Sequence, residues 1–309
     1  MGTRNPDRVG DDQQKMMKRY IYIIGMALAA AASLLSGCVK QESTWAPSDI
    51  AFKPLIGHDT RAVESVPFPQ DMSFKVWALG QGTGTYLDGE QISYGDGGWV
   101  SSKKWPREAL EFEACWPVDL DVEYTSFNGL QLRDFDCRQG DVDILIAHGS
   151  GTGENGGVTV LRFDHILSRV EFRMMHSLAE SMSVRLKKIE MIGFAGKGDY
   201  NIKKKDGWSV GAYDYSYVVY DAGEGEGIDI TAGDAKYIGE EFYVIPQPCT
   251  ASLEVTYDIR YDNANWVPQT EVIDNLETFW EPSKHYTYTV NLRMDKLTHT
   301  TGISSWNNQ

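Results

Sequence analysis

Residues 252–261, with the sequence SLEVTYDIRY, carry the pattern that decides the fold. Apolar or aromatic side chains stand at every second position, and polar side chains stand between them. One face would hold Leu253, Val255, Tyr257, Ile259 and Tyr261, and the other would hold Glu254, Thr256, Asp258 and Arg260. A period of two residues is typical of a β-strand with one face on a core and one in water, as in antiparallel sheets.

The same period recurs elsewhere in the chain. It is clear in YTYTVNLRM (286–294) and in LEFEACW (110–116), where Glu111, Glu113 and Cys115 are predicted to face away from the core. The stretch 165–182 begins with alternation and continues into a polar segment, so it predicts a strand and a linker rather than a helix. The chain is therefore predicted to be all-β and built of sandwiches.

Turn residues support this interpretation. Asp-Gly pairs between strand-like runs, in 86–94 and 202–210, indicate hairpins. A slip in the alternation between Leu186 and Ile189 predicts a β-bulge. The glycine-rich stretch 148–157 lacks the ending of a phosphate-binding loop and is interpreted as a flexible loop between two strands.

The start of the chain resembles a bacterial lipoprotein signal. Lys18 and Arg19 precede an apolar run over 20–35, and the run closes on Leu-Ser-Gly-Cys at 35–38, which resembles a lipobox. The signal peptide is predicted to span 1–37, with Met16 or Met17 as the true start, and Cys38 is predicted to be acylated. The alternative is a signal anchor that stays in the membrane.

Charge limits the partners. Lys and Arg number 29 and Asp and Glu number 44, for a net charge of −15. Without residues 1–37, which hold five basic and three acidic groups, 24 basic and 41 acidic groups remain, for a net charge of −17. Such a chain is a poor partner for nucleic acid or for anionic lipid head groups.

No constellation of catalytic or metal-ligating residues stands out. The six histidines are not spaced as zinc ligands, and the acidic stretch 221–230 lacks the calcium-loop pattern. We therefore predict no catalytic residue, no metal and no cofactor, and a chain that is not an enzyme. Cys115 and Cys137 are either bonded to each other or buried as free thiols.

The body of the chain is long enough for two sandwiches. After a lipid-anchored linker over 38–49, we predict an N-terminal β-sandwich over 50–178 and a C-terminal β-sandwich over 179–309. The junction is expected within about four residues of the polar segment 177–183.

Several stretches, in order, resemble the fimbrillin family of type V pilus subunits. They are LEFEACWP (110–117), DILIA (143–147), VTVLRFDHILSRVEF (158–172), YNIKKKDGWSV (200–210), FYVIPQP (242–248), KHYTYTVNL (284–292) and ISSW (303–306). The resemblance implies two tandem transthyretin-like β-sandwich domains and a structural role for His165. It also implies export as a surface-exposed outer-membrane lipoprotein and assembly into fimbriae by β-strand donation between subunits.

The role in the fibre stays open at this point. Only THTTGISSWNNQ (298–309) follows the last clear strand, so a tip or accessory subunit that supports adhesion is an alternative to a stalk subunit. The expected partners are other pilus subunits, outer-membrane lipid through Cys38, and a host or bacterial surface ligand. The alternative function is a monomeric surface lipoprotein that binds glycans.

The stretch HDTRAVES (58–65) is the candidate processing site. We predict cleavage between Arg61 and Ala62, as the arginine-specific processing of the family implies. The preceding stretch IAFKPLI (50–56) is strand-like, and Pro54 is expected to restrict it to an edge or a bulge. Losing this strand would leave a groove that accepts a strand from another subunit. The alternative is an uncut tether.

Overall fold

The computed structural model describes residues 48–57, 65–139, 142–154, 157–276 and 278–306, apart from the side chains of 139 and 249. Over these residues the chain is almost all β, as predicted. The first ten strands are β1 (Asp49–Ile56), β2 (Val66–Pro67), β3 (Ser73–Gly80), β4 (Gly84–Gly95), β5 (Gly98–Lys104), β6 (Leu110–Trp116), β7 (Glu123–Thr125), β8 (Gly129–Asp136), β9 (Leu145–Gly151) and β10 (Val158–His165). A short 3-10 turn, Cys137–Gln139, follows β8.

Thirteen more strands follow in the described part of the chain. They are β11 (Ser168–His176), β12 (Met182–Phe194), β13 (Lys197–Asn201), β14 (Trp208–Val210), β15 (Tyr215–Asp221), β16 (Ile228–Ile230), β17 (Lys236–Val244), β18 (Gln247–Cys249), β19 (Ser252–Tyr261), β20 (Val267–Ile273), β21 (Thr278–Trp280), β22 (Lys284–Leu292) and β23 (Leu297–Ser305). No described residue belongs to a helix long and apolar enough to cross a bilayer.

The first sheet closes on itself. Its eight strands run in the order β10, β9, β6, β3, β4, β5, β1, β2, and β1 also pairs with β10. The inward faces of these strands form one core, which includes Phe74 from β3, Phe112 from β6 and Phe163 from β10.

The later strands form further sheets. One runs β17, β11, β22, β23, and another runs β15, β12, β19, β20, with β16 beside β12. The sheet β14, β13, β8, β7 joins strands from the earlier and later parts of the chain, and β18 pairs with β21. The alternation in 252–261 predicted β19 correctly over its first part, since Leu253, Val255 and Tyr257 are buried, but Tyr261 at the end of the strand is 60% exposed.

A second core touches the outer face of the first sheet. It contains Trp77, Cys115 and Ile146 from strands of the first sheet, together with apolar residues from β11 to β23. Both faces of β6 are therefore covered along part of its length. The prediction that Glu113 and Cys115 face water was wrong, because Glu113 is 4% exposed and Cys115 is fully buried.

Glu113 is buried with its polar atoms satisfied. Its carboxylate accepts a hydrogen bond from the backbone N–H of Leu130 at 2.6 Å and pairs with Lys203 Nζ at 2.8 Å. Cys115 and Cys137 are buried free thiols, which decides between the two states left open by the sequence. Burial raises the pKa of each thiol to about 12.

One Asp-Gly pair makes a turn and the other does not. Asp206 and Gly207 lie in the connection between β13 and β14, as predicted. Asp88 and Gly89 instead lie inside β4, where the pairing with β3 shifts opposite Trp77. Gly89 has a φ of +65°, which a β-bulge can use as readily as a hairpin turn, so the hairpin prediction was wrong there.

The stretch 148–157 is only partly a loop. Its first four residues extend β9, because Gly149 and Gly151 pair with Phe112 and Leu110 of β6. A side chain at Gly149 would lie 3.0 Å from the carbonyl oxygen of Val160, so glycine permits close approach of β10. Glycine here serves strand packing.

The predicted bulge in β12 is confirmed, since its register with β19 shifts between Leu186 and Lys188. The predicted domain boundary after residue 178 follows β11, whose partners β17 and β22 lie later in the chain. The division into 50–178 and 179–309 stays a prediction, and fragments released by limited proteolysis near 177–183 would support it.

Candidate functional site

Strand β1 is the candidate functional element, because it is held on both sides by other strands. It pairs in parallel with β10, from Ala51 opposite Val158 to Ile56 opposite Phe163. On its other side it pairs with β5 along its first half and with β2 at its end. The other strand pairs described in this sheet are antiparallel.

The prediction that Pro54 confines this strand to an edge or a bulge was wrong. Pro54 is buried and lies opposite Leu161 of β10. The N–H groups of Ala51 and Gly57 point to β10, so the missing N–H at position 54 falls on the opposite side. There the Pro54 carbonyl accepts a hydrogen bond from the N–H of Phe68 at 3.2 Å, so proline costs the ladder one donor and no acceptor.

The inward face of β1 completes the first core. Ile50, Phe52, Pro54 and Ile56 are buried, whereas Lys53 between them is exposed. The ring of Phe52 meets Phe112 edge-on at 5.4 Å between centroids and Phe74 at 6.0 Å. Without β1 the sheet would therefore have an apolar slot and an unpaired edge on β10.

The entry of β1 is fixed by Trp105 and Gly157. The backbone N–H of Trp105 donates to the carbonyl of Ser48 at 2.9 Å, and its indole N–H donates to the carbonyl of Gly157 at 2.9 Å. Gly157 has a φ of +67°, and a Cβ there would lie 2.9 Å from the carbonyl oxygen of Asp49. Asp49 also pairs with Lys104 of β5.

The predicted processing residues fall outside the described part of the chain. Arg61 and Ala62 lie between Gly57 and Ser65, and Cys38 precedes Ser48. Because Ile56 of β1 pairs with Val66 of β2, the segment that contains Arg61 connects two neighbouring strands. A cut in this segment would break the covalent connection between β1 and β2.

His165 occupies the far end of β10, at a strand junction as predicted. It is 1% exposed, and its Nδ1 shares a hydrogen bond with Asp143 Oδ2 at 2.7 Å. Its ring stacks on Trp306, with 3.9 Å between centroids. These contacts fit a structural residue better than a catalyst.

Trp306 fastens the end of β23. Its ring lies between His165 and Tyr243, which it meets at 5.2 Å, and its backbone N–H donates to the carbonyl of Ser283 at 3.0 Å. The hydroxyl of Ser283 in turn donates to the carbonyl of His165 at 2.8 Å. The last described strand and the strand that holds β1 thus meet at one cluster, which the sequence did not reveal.

A group of ionisable residues on β11, β17 and β22 also gave no signal in the sequence. Glu171, Glu241 and His285 each bring one ligand-type atom to within 4.8 Å of the others. Glu171 accepts a hydrogen bond from Thr287 at 2.7 Å, and Glu241 pairs with Arg169. Burial is the main cause that lowers the pKa of His285. An internal ion-pair network accounts for this group.

The tyrosine-rich stretch 213–220 serves mainly as packing. Tyr215 meets Phe194 at 4.9 Å, and Tyr217 stacks on Phe242 at 4.0 Å. Tyr213 is 44% exposed. An aromatic platform for a glycan is therefore not formed by Tyr215 and Tyr217.

Comparison with known proteins connects this geometry to a family. A family model described as fimbrillin-like matches residues 60–306. A search of curated proteins found no match.

Solved structures share the fold at low sequence identity. A fimbrial protein from Bacteroides vulgatus is 14% identical with a TM-score of 0.60, over 84% of this chain and 100% of its own. Proteins described as cell adhesion proteins from Bacteroides uniformis and Bacteroides ovatus are 14% and 15% identical, with TM-scores of 0.52 and 0.50. They cover 84% and 86% of this chain, and 98% and 100% of their own lengths.

Proposed function

The chain belongs to the fimbrillin-like family, and on that premise we propose that it is a pilus subunit that gives up β1 and accepts a strand from another subunit in its place. As a fimbrial adhesion protein of the cell surface, it is a structural protein that associates with other pilus subunits, and not an enzyme. The observation that carries the proposal is the position of β1, which fills an apolar slot and is followed by the segment that contains Arg61.

Removal of β1 creates the driving force for assembly. Burying a large aliphatic or aromatic side chain is worth about 1.5–3 kcal/mol, and β1 buries Ile50, Phe52 and Ile56. An empty slot would return part of the core to water and leave the N–H and C=O groups of β10 that face β1 without partners. An apolar strand of another subunit that alternates like β1 would restore both kinds of interaction.

Processing between Arg61 and Ala62 is the step that would release β1. Seven residues, 58–64, connect the described ends near β1 and β2, and Arg61 is the arginine among them. The proposed order of events begins with export as a lipoprotein anchored through Cys38. Cleavage after Arg61 then removes β1 together with the anchor, and the empty groove captures a strand of a neighbouring subunit.

N-terminal sequencing of protein sheared from the cell surface tests this proposal. We expect a surface form that begins at Ala62, and an Arg61→Ala variant that keeps β1 and forms fewer detergent-resistant oligomers on gels. Arg133→Ala, at an exposed arginine on β8, is the matched control and should assemble normally. Normal oligomers in Arg61→Ala, with a surface form that begins at Cys38, would contradict processing at this bond.

The lipid anchor has its own test. Replacing Cys38 with alanine should abolish acyl labelling and recovery of the chain with the outer membrane. Unchanged labelling of Cys38→Ala would refute the proposed lipoprotein signal.

The fastening of β23 supports a tip or accessory position. All nine residues of β23 pair with β22, and Trp306 is buried just beyond it. A subunit that donates β23 would have to break this hairpin and the stack on His165, whereas a subunit that only accepts a strand keeps both. Immunogold electron microscopy of filaments should therefore label one end rather than the shaft.

A further inference from the structure

A small cavity opens on the sheet formed by β12, β16 and β19. Its volume is about 220 Å³. Side chains that line it include His176, Ser183, Arg185, Asp229, Arg260 and Trp266. It contains no residue of β1, β5 or β10, so it is distinct from the strand groove.

Two arginines pack on one tryptophan at this cavity. The Cζ atom of Arg260 lies 4.3 Å from the centroid of the Trp266 ring, and that of Arg185 lies 4.6 Å from it. Arg260 on β19 lies opposite Ser183 on β12 in the strand register. Attraction between guanidinium and ring holds both forks in place before any ligand arrives.

The two arginines differ in how their charge is balanced. Arg185 pairs with Asp229 at 2.8 Å and with Glu226 at 3.5 Å. Arg260 makes no ion pair or hydrogen bond to any described residue, and its buried Nε lacks an acceptor. Because no described carboxylate pairs with Arg260, the terminal N–H groups of its guanidinium are left to donate to a ligand oxygen.

We propose that this cavity binds the carboxylate of a small acidic sugar, such as a terminal uronic or sialic acid residue of a glycan. The planar guanidinium of Arg260 matches a carboxylate with two parallel hydrogen bonds, and the hydroxyl of Ser183 lies on the strand beside it. The volume is below the roughly 300–1,000 Å³ of pockets for drug-sized ligands, so it fits one terminal residue. The carboxylates of Asp229 and Glu226 repel anions, but they pair with Arg185 and so neutralise its charge. Arg260 has no such pair and is therefore the anion-binding group.

This site would supply the ligand of an adhesive subunit. The inference therefore rests on the adhesion part of the proposed function and not on strand exchange. A binding assay on the uncleaved full-length chain keeps the two apart, because it requires neither processing at Arg61 nor assembly.

Calorimetric titration with glucuronate and with N-acetylneuraminate, beside neutral glucose and inorganic sulfate, tests the site. We expect saturable binding of at least one sugar acid and none of glucose. Arg260→Gln should weaken that binding by about tenfold or more, since a hydrogen bond to a charged group is lost. Arg260→Lys should bind with intermediate affinity, because it keeps the charge without the planar fork.

Arg133→Gln is the matched control, since it removes a cation of the same size from another sheet, and it should leave binding unchanged. Thermal unfolding of each variant checks that the fold is intact, and Arg260→Lys serves if Arg260→Gln does not fold. Equal binding by Arg260→Gln and the unmodified chain, sulfate binding as tight as that of the sugar acids, or no saturable binding of either sugar acid would each overturn the proposal.

Discussion

Replacing Phe52 with alanine is the sharpest test of the role of β1 in the folded, uncleaved chain. Phe52 is 5% exposed and packs edge-on against Phe74 and Phe112. Truncation of a buried phenylalanine to alanine costs about 3–5 kcal/mol, through lost burial and the cavity left behind. Because the ring is almost fully enclosed by a closed sheet, we expect a cost within that range.

Such a loss is large beside the total stability of a folded domain, which is about 5–15 kcal/mol. At roughly 2–4 °C per kcal/mol for a unit of 150–250 residues, it corresponds to a drop of roughly 6–20 °C in the unfolding midpoint. Thermal unfolding followed by near-ultraviolet circular dichroism measures this drop, and urea unfolding gives the free energy of unfolding.

Lys53→Ala is the matched control on the same strand. Lys53 is exposed, so its replacement should change the free energy of unfolding by no more than about 0.5 kcal/mol. If Phe52→Ala and Lys53→Ala unfold at the same temperature, β1 does not contribute to the core, and its loss could not drive strand capture.

Three further results are expected. Trp306→Ala should lower the free energy of unfolding by about 3–5 kcal/mol and speed amide hydrogen exchange throughout β23. Faster exchange at position 306 alone would refute the role of Trp306 in holding β23 in place. Gly157→Ala should lower the unfolding midpoint more than Gly95→Ala does. Gly157 has a φ of +67° and a Cβ there would lie close to the carbonyl oxygen of Asp49, whereas a Cβ at Gly95 would have open space. Equal unfolding midpoints for the two variants would contradict this reasoning. Burial raises the pKa of Cys115 and Cys137 to about 12, so both thiols should stay protonated and resist alkylation near pH 8 in the folded chain, and should react on unfolding. Peptide-level mass spectrometry measures the labelling, and labelled thiols in the folded chain would contradict this expectation.

Local pattern was enough to predict most of the strands. In β22, Tyr286, Tyr288, Val290 and Leu292 are buried as the alternation requires. Met294, which continues the same alternation, is 81% exposed because β22 ends at Leu292. The period of two residues follows from the geometry of the strand itself, so it is visible wherever a strand runs, but it does not mark where the strand ends.

The candidate site was only half visible in the sequence. The stretch 50–56 was identified as a strand, but its place between β10 and its neighbours β5 and β2 was not, because Pro54 argued for an edge. The cavity at Trp266 gave no signal, since Arg185 and Arg260 are 75 positions apart and meet only when β12 pairs with β19.

The sequence by itself determined that apolar and polar side chains alternate, that turns separate these runs, and that the runs fold as β-strands. These properties depend on neighbours within a few residues. Only the tertiary structure decided which strand pairs with which and which faces are covered. Glu113 and Cys115 illustrate the difference, since their alternation predicts an exposed face and the second core buries it. The closure of the first sheet by β1 is of the same kind. It depends on a pairing between residues more than 100 positions apart, and the pleat of one strand carries no information about its partner.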